Sequence, residues 1–126
     1  KRTNAEGFRQ FAALVKPYGY WTLSVPVSEY LHLKTGVVSL DEERLLVAGE
    51  FKTADIFSAF DRIVVDDEEA YGVNCIAING QVVMPCGFPK LKRGLQDRGY
   101  RVVETPMSEF EKMDGGLTCL SVRIPR

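Results

Sequence analysis

The sequence predicts an α/β fold assembled from repeated strand–helix–strand modules, and three observations carry that prediction. A hairpin signature spans residues 75–84, where Asn79-Gly80 separates two apolar runs and supplies the positive φ values of a tight primed turn. A helix follows, with Pro89 at its first position, Leu91 and Leu95 on one face, Gly99 closing it, and a strand at 101–104. The third observation is an internal repeat. Residues 45–49, a short helix and 62–65 match residues 82–87, a helix and 101–103 at a period of 37. Modules of this kind stack or are arranged radially, and left alone they expose sheet edges. At 126 residues and 14.1 kDa the chain has room for one domain.

Taken in order, Thr3 or Asn4 can cap a first helix whose Glu6 suits the positive helix end. Phe8, Phe11, Ala12 and Val15 give it an apolar face, and Pro17 and Gly19 stop it. Residues 20–27 are rich in aromatic and β-branched types and read as a strand, confined to an end or an edge by Pro26. Residues 33–40 and 44–48 read as two strands joined by Asp41-Glu42-Glu43. A short helix is expected over 53–60 and a strand over 62–65, with the acidic run 66–69 read as a solvated turn. After Gly115-Gly116, residues 117–124 read as a closing strand.

Composition excludes several classes. Sixteen basic against seventeen acidic residues leave a net charge of -1, so the chain has no electrostatic footprint for nucleic acid. No apolar run approaches the ~20 residues of a membrane helix, and no signal peptide is legible. Three cysteines, an odd count, point to free thiols in a reducing, cytoplasmic compartment. The chain opens at Lys1 without an initiator Met, which reads as a processed product or a piece of something longer.

Few residues can carry chemistry. His32 is the sole histidine and has apolar neighbours, compatible with a structural or a catalytic role. Cys75 alternates with apolar residues and reads as core, and Cys86 after Pro85 reads as structural. Cys119 lies three residues beyond Gly115-Gly116. The pair is either a plain turn or a close backbone approach that presents a side chain. A thiol needs an adjacent base to act as a nucleophile, and His32 is the one imidazole available. The four Cys and His residues lack the tight spacing of a zinc site, so metal binding is not expected, and no glycine pattern fits a phosphate or dinucleotide loop. The basic group Lys90, Lys92, Arg93 and Arg98 reads as a solvated helix face.

Read together, Asp114-Gly115-Gly116-Leu117-Thr118-Cys119 and Leu31-His32-Leu33-Lys34-Thr35 resemble the C-terminal half of the dimethylarginine dimethylaminohydrolases. These enzymes belong to the guanidino-group-modifying superfamily, with arginine deiminases and amidinotransferases. The segments at 2–7, 38–42, 79–80, 87–90 and 108–112 support the resemblance, which covers the whole chain. It implies that residues 1–126 are about half of a single catalytic domain, a five-bladed α/β propeller of ββαβ units, without its N-terminal half. It further implies Cys119 as nucleophile and His32 as general acid/base. By the same resemblance Arg2, Asp114 and Thr35 contact the substrate; otherwise they read as a helix-start arginine, a turn aspartate and a strand threonine. The implied substrate is a small molecule, Nω-methylated arginine, converted to citrulline and an alkylamine through a thiouronium intermediate. Arginine deiminase, amidinotransferase, or a non-catalytic fragment needing its other half are the alternatives. A missing N-terminal half or a second copy is expected to cover the sheet edges.

Overall fold

A computed structural model describes residues 3–124. Two three-stranded sheets organise them. In the first, β1 (Val37–Ser39) runs antiparallel to β2 (Arg44–Val47), which pairs in parallel with β3 (Asp61–Val64). In the second, β4 (Ile76–Ile78) and β5 (Gln81–Pro85) form the hairpin, and β6 (Arg101–Thr105) returns parallel to β5. The two modules therefore share one topology, and Leu46 and Val83 occupy corresponding central positions 37 residues apart. Asn79 and Gly80 close the hairpin with φ of 51° and 72°, the left-handed values that the two-residue turn requires.

The crossovers differ. The second module uses α3 (Pro89–Asp97), with Leu91 and Leu95 buried against the sheet. The first replaces the expected helix over 53–60 with two 3-10 turns, Gly49–Phe51 and Asp55–Phe57. Phe51 and Phe57 are both buried and meet edge-to-face at 6.2 Å, a pairing that a continuous helix would not give residues six apart. Arg62 Nη1 donates to the carbonyl of Ala54 at 3.3 Å, satisfying backbone that no helix satisfies.

One core joins the modules. Leu46, Ala48, Ile63 and Val65 from the first pack with Val73, Val82, Met84, Leu91 and Leu95 from the second. On the other face of β2, Leu45 and Val47 pack with Phe51 and Phe57. β2 is thus buried on both faces, where each fully buried aliphatic side chain contributes about 1.5–3 kcal/mol.

Four other expectations need correction. Residues 20–27 form no strand; Val25 and Val27 pack on the second cluster as extended chain, and Pro26 offers no ladder donor. The strand expected at 33–40 starts only at Val37, because Leu33–Gly36 form a one-turn helix, α2. A Cβ on Gly36 would stand 2.8 Å from the Phe51 ring, so this turn packs where a larger residue could not. The closing strand at 117–124 is absent: 117–119 turn, and 121–124 are unpaired. Glu69 is not solvated. It is buried and accepts the backbone N–H groups of Lys90 (3.0 Å) and Leu91 (2.6 Å), capping α3 from a distant segment.

The first helix, α1 (Ala5–Val15), is capped by Asn4, whose side chain accepts from Gly7 N at 2.8 Å. None of its residues is buried, and Phe11, Leu14, Tyr18, Tyr20, Trp21 and Leu23 are exposed on and after it. The short helix α4 (Ser108–Glu111) leads into the glycine pair.

Candidate active site

Two arms carry the predicted site residues. The first bears His32 at the N-cap of α2, half-buried, in extended conformation. Just upstream, the Glu50 carboxylate accepts the backbone N–H groups of Ser28 (3.1 Å) and Glu29 (2.9 Å), and the Ser28 hydroxyl also donates to it. The Ser28 hydroxyl, followed by those backbone donors, holds the Glu50 carboxyl down to about 2. Glu50 therefore ties residues 28–30, and with them the approach to His32, to the end of β2. Tyr30 completes the tie by stacking on Phe51 at 5.7 Å, and a Cβ on Gly49 would stand 2.5 Å from the Tyr30 ring. The imidazole lines a groove of about 510 Å3 with Asn4, Phe8, Leu23, Val25 and Leu31. Thr35 is half-buried on α2, its N–H bonded to the His32 carbonyl at 3.1 Å.

The second arm bears Cys119, exposed, its N–H bonded to the Gly116 carbonyl at 3.0 Å. Gly116 is buried, and a Cβ there would stand 1.9 Å from Asn74 Nδ2. Of the two readings of the glycine pair, the close approach is the one observed. Neither glycine has a positive φ; Asp114 does, at 56°. That left-handed conformation is tolerated by Asp and places a candidate substrate contact at a locally strained turn. Its side chain is exposed.

A single segment underlies both arms. The 3-10 stretch Asp67–Val73 packs against α2 on one side. From the same stretch Tyr71 donates its hydroxyl to the Gly115 carbonyl at 2.6 Å, and Asn74 beside it accepts from Thr118 N (3.1 Å) and Oγ1 (2.8 Å). Burial, and the charges of Glu111 and Cys119 after it, push the Tyr71 hydroxyl pKa up, so it remains a donor. Lys34, two residues after His32, and Thr118, the residue before Cys119, both line a groove of about 540 Å3 together with β1 and Cys75. Cys119 is not among the residues lining the His32 groove. Arg2 lies outside the described residues.

The other thiols separate clearly. Cys75 is buried in the core, and burial pushes it up to about 12. Cys86, expected to be structural, is exposed on the turn after β5, where Gly87 with φ of 100° swings the chain away from the sheet. Among the described residues no group of three His, Cys, Asp or Glu could hold a metal ion, and no helix is long and apolar enough to cross a membrane. Sequence reasoning missed Glu50, Tyr71 and Asn74. A polar residue flanked by Val73 and Cys75 was the one available signal, for Asn74.

No protein-family model matches the chain. It is 43% identical over 122 residues to the N(G),N(G)-dimethylarginine dimethylaminohydrolase of Pseudomonas aeruginosa, covering 97% of this chain and 48% of that enzyme. It is 37% identical over 124 residues to the enzyme of the same description from Streptomyces coelicolor, covering 98% and 47%. A cysteine-to-serine variant of the P. aeruginosa enzyme, complexed with citrulline, superposes with a TM-score of 0.93 at 42% identity over 98% of this chain and 48% of its own. A histidine-to-glycine variant of a dimethylarginine dimethylaminohydrolase, as an adduct with S-methyl-L-thiocitrulline, superposes equally well (0.93, 42%, 98% and 48%). An amidinotransferase of saxitoxin biosynthesis from Microseira wollei shares the fold, with a TM-score of 0.81 at 17% identity over 98% of this chain and 42% of that one. The chain spans about half the length of the curated relatives it matches.

Proposed function

We propose, from the premise that this chain is homologous to the dimethylarginine dimethylaminohydrolases, that it carries the nucleophile and the general acid/base of a hydrolase acting on the guanidino carbon of Nω-methylated arginine. One observation carries the assignment. The cysteine and histidine substituted in the two superposed variants stand 87 positions apart, the interval between His32 and Cys119. The variants were bound to citrulline and to a thiocitrulline, a product-like and a thiouronium-related molecule, which fits chemistry at a guanidino carbon.

The chemistry follows from the substrate. A guanidinium is a delocalised cation and a poor electrophile, so it must be held by charge-assisted hydrogen bonds before its carbon can be attacked. The Cys119 thiolate adds to that carbon, forming a C–S bond and a tetrahedral adduct. His32 delivers a proton to the methylated nitrogen, the C–N bond breaks, and dimethylamine leaves. A thiouronium remains on Cys119. His32 then takes a proton from water, hydroxide adds to the same carbon, and collapse expels the thiolate as the added hydroxyl gives its proton to solvent, which releases citrulline. Arg2 is assigned to the substrate's α-carboxylate, Asp114 to a substrate contact near the nucleophile, and Thr35 to the substrate's α-carbon end. The reaction needs no cofactor or metal.

Carboxylates that receive the guanidinium are assigned to the remainder of a longer protein. In this reading residues 1–126 form the C-terminal half of one catalytic domain, a five-bladed propeller of ββαβ units, to which the two strand modules are assigned, the first with 3-10 turns in place of its helix. The exposed Phe11, Leu14, Tyr18, Tyr20, Trp21 and Leu23 support it, because a concentration of exposed apolar side chains marks a surface that further protein covers. The free thiols suit a reducing, cytoplasmic setting.

The test is product analysis of the full-length protein with Nω,Nω-dimethylarginine. Dimethylamine and citrulline in equal amounts, lost in Cys119→Ser, are expected. Release of ammonia from arginine, or passage of the amidino group to an amine acceptor with no citrulline formed, would move the protein to a deiminase or an amidinotransferase.

A further inference from the structure

Cys119 is exposed on a turn that no sheet supports, yet nucleophilic attack requires its sulfur to be held to within a fraction of an ångström. Something other than secondary structure must hold it. The Asp67–Val73 stretch ends at Asn74, whose φ of -73° and ψ of 63°, with Cys75 N bonded to Val73 O at 2.7 Å, form an inverse γ-turn. Asn74 is 4% exposed, anchored between two core residues, Val73 and Cys75. Its Oδ1 takes both the backbone N–H and the hydroxyl of Thr118, and its amide lies directly over Gly116. Gly116 in turn accepts the Cys119 N–H, and Tyr71 holds the Gly115 carbonyl. Three of the four residues before Cys119 are therefore gripped from one rigid, core-anchored segment.

We propose that Asn74 is a positioning residue for Cys119, with Tyr71 as its auxiliary. The proposal rests on the reading of Cys119 as the nucleophile and deepens it. Asn74 touches no reacting atom; it acts by fixing where the sulfur stands. Because the same segment packs against α2, it also sets the spacing between the sulfur's arm and the histidine's arm.

The experiment uses the full-length protein with Asn74→Ala, Thr118→Val and Thr118→Ser. Two quantities are read: kcat and KM with Nω,Nω-dimethylarginine, and the pH dependence of iodoacetamide alkylation at Cys119 by peptide mass spectrometry, with exposed Cys86 as internal reference. Asn74→Ala should lower kcat about 100-fold, the scale of a 1 Å misplacement, with KM changed less than about 3-fold. Thr118→Val should lower kcat about 10-fold, and Thr118→Ser, which keeps the hydroxyl, should restore it. The Cys119 alkylation profile should shift in Asn74→Ala and Thr118→Val while that of Cys86 does not. Unchanged kcat and Cys119 alkylation in folded Asn74→Ala would overturn the proposal. So would equal losses in Thr118→Val and Thr118→Ser, which decides the matter if Asn74→Ala fails to fold. Should the unmodified protein turn over no methylarginine, the proposed function fails, and the alkylation profiles still decide whether Asn74 controls the thiol.

Discussion

Gly116→Ala is the substitution whose outcome follows most directly from the geometry. The added methyl carbon would stand 1.9 Å from Asn74 Nδ2, 2.5 Å from its Cγ and 3.0 Å from its Oδ1. No real pair of atoms tolerates the first distance, and Asn74 is anchored between core residues, so its side chain must leave. Its departure breaks two hydrogen bonds to Thr118 and strands a buried amide. Two net hydrogen bonds at about 1 kcal/mol each, plus part of the desolvation cost of an unpaired group, give a destabilisation of about 2–4 kcal/mol. Gly94→Ala is the control. It lies within α3, where a Cβ meets only the Arg98 side chain at 3.7 Å, and alanine there should stabilise by about 0.5–1 kcal/mol. Urea unfolding of the full-length protein reads both, and the two substitutions should move the midpoint in opposite directions. Combining Gly116→Ala with Asn74→Ala should cost less than the sum of the two, since the second removes what the first collides with. A Gly116→Ala variant within 0.5 kcal/mol of its parent, or strict additivity with Asn74→Ala, would refute the close-approach account.

Three further outcomes are expected. The Glu50 carboxyl is held at about 2 against an ordinary 4.5, so its stabilising contribution is complete above pH 4.5 and is lost as pH falls towards 2. The Tm difference between the parent and Glu50→Gln should therefore shrink across that window; a pH-independent difference would show that Glu50 does not bind the 28–30 segment as a carboxylate. Iodoacetamide at pH 8 should label Cys119 and Cys86 and spare Cys75, whose thiol is buried and raised to about 12; labelling of Cys75 in the folded protein would contradict its place in the core. Leu46→Ala, at a wholly buried position on the central strand joining the two modules, should cost about 2–5 kcal/mol by denaturant titration, and a loss below 1 kcal/mol would mean the shared core is misplaced.

Much of the fold was legible because local chemistry and tertiary structure agree there. Asn79-Gly80 closes its hairpin, Pro89 and Gly99 bound α3 and its exit, and the 37-residue repeat is a repeated strand topology. Where sequence reading failed, long-range packing decided. Residues 20–27 and 117–124 have the composition of strands, but no neighbouring strand is in place to pair with them among the described residues. Gly36 allows a helical turn under Phe51 that propensity does not announce. The acidic run looked solvated because its role depends on α3, twenty residues later. At the candidate site, His32 and Cys119 could be singled out as candidates through the resemblance that their sequence contexts carry together. Glu50, Tyr71 and Asn74 could not, since each acts on a segment more than twenty residues away through bonds that leave no local pattern.

The central claim is that Cys119 becomes covalently attached to a guanidino carbon during turnover. Rapid acid quenching of the full-length protein with Nω,Nω-dimethylarginine, followed by peptide mass spectrometry, addresses it directly. The account predicts a transient amidine-bearing adduct on the peptide containing Cys119, absent from the peptides containing Cys75 and Cys86. Turnover to citrulline with Cys119 unmodified at every quench time and still active as Cys119→Ser would contradict it.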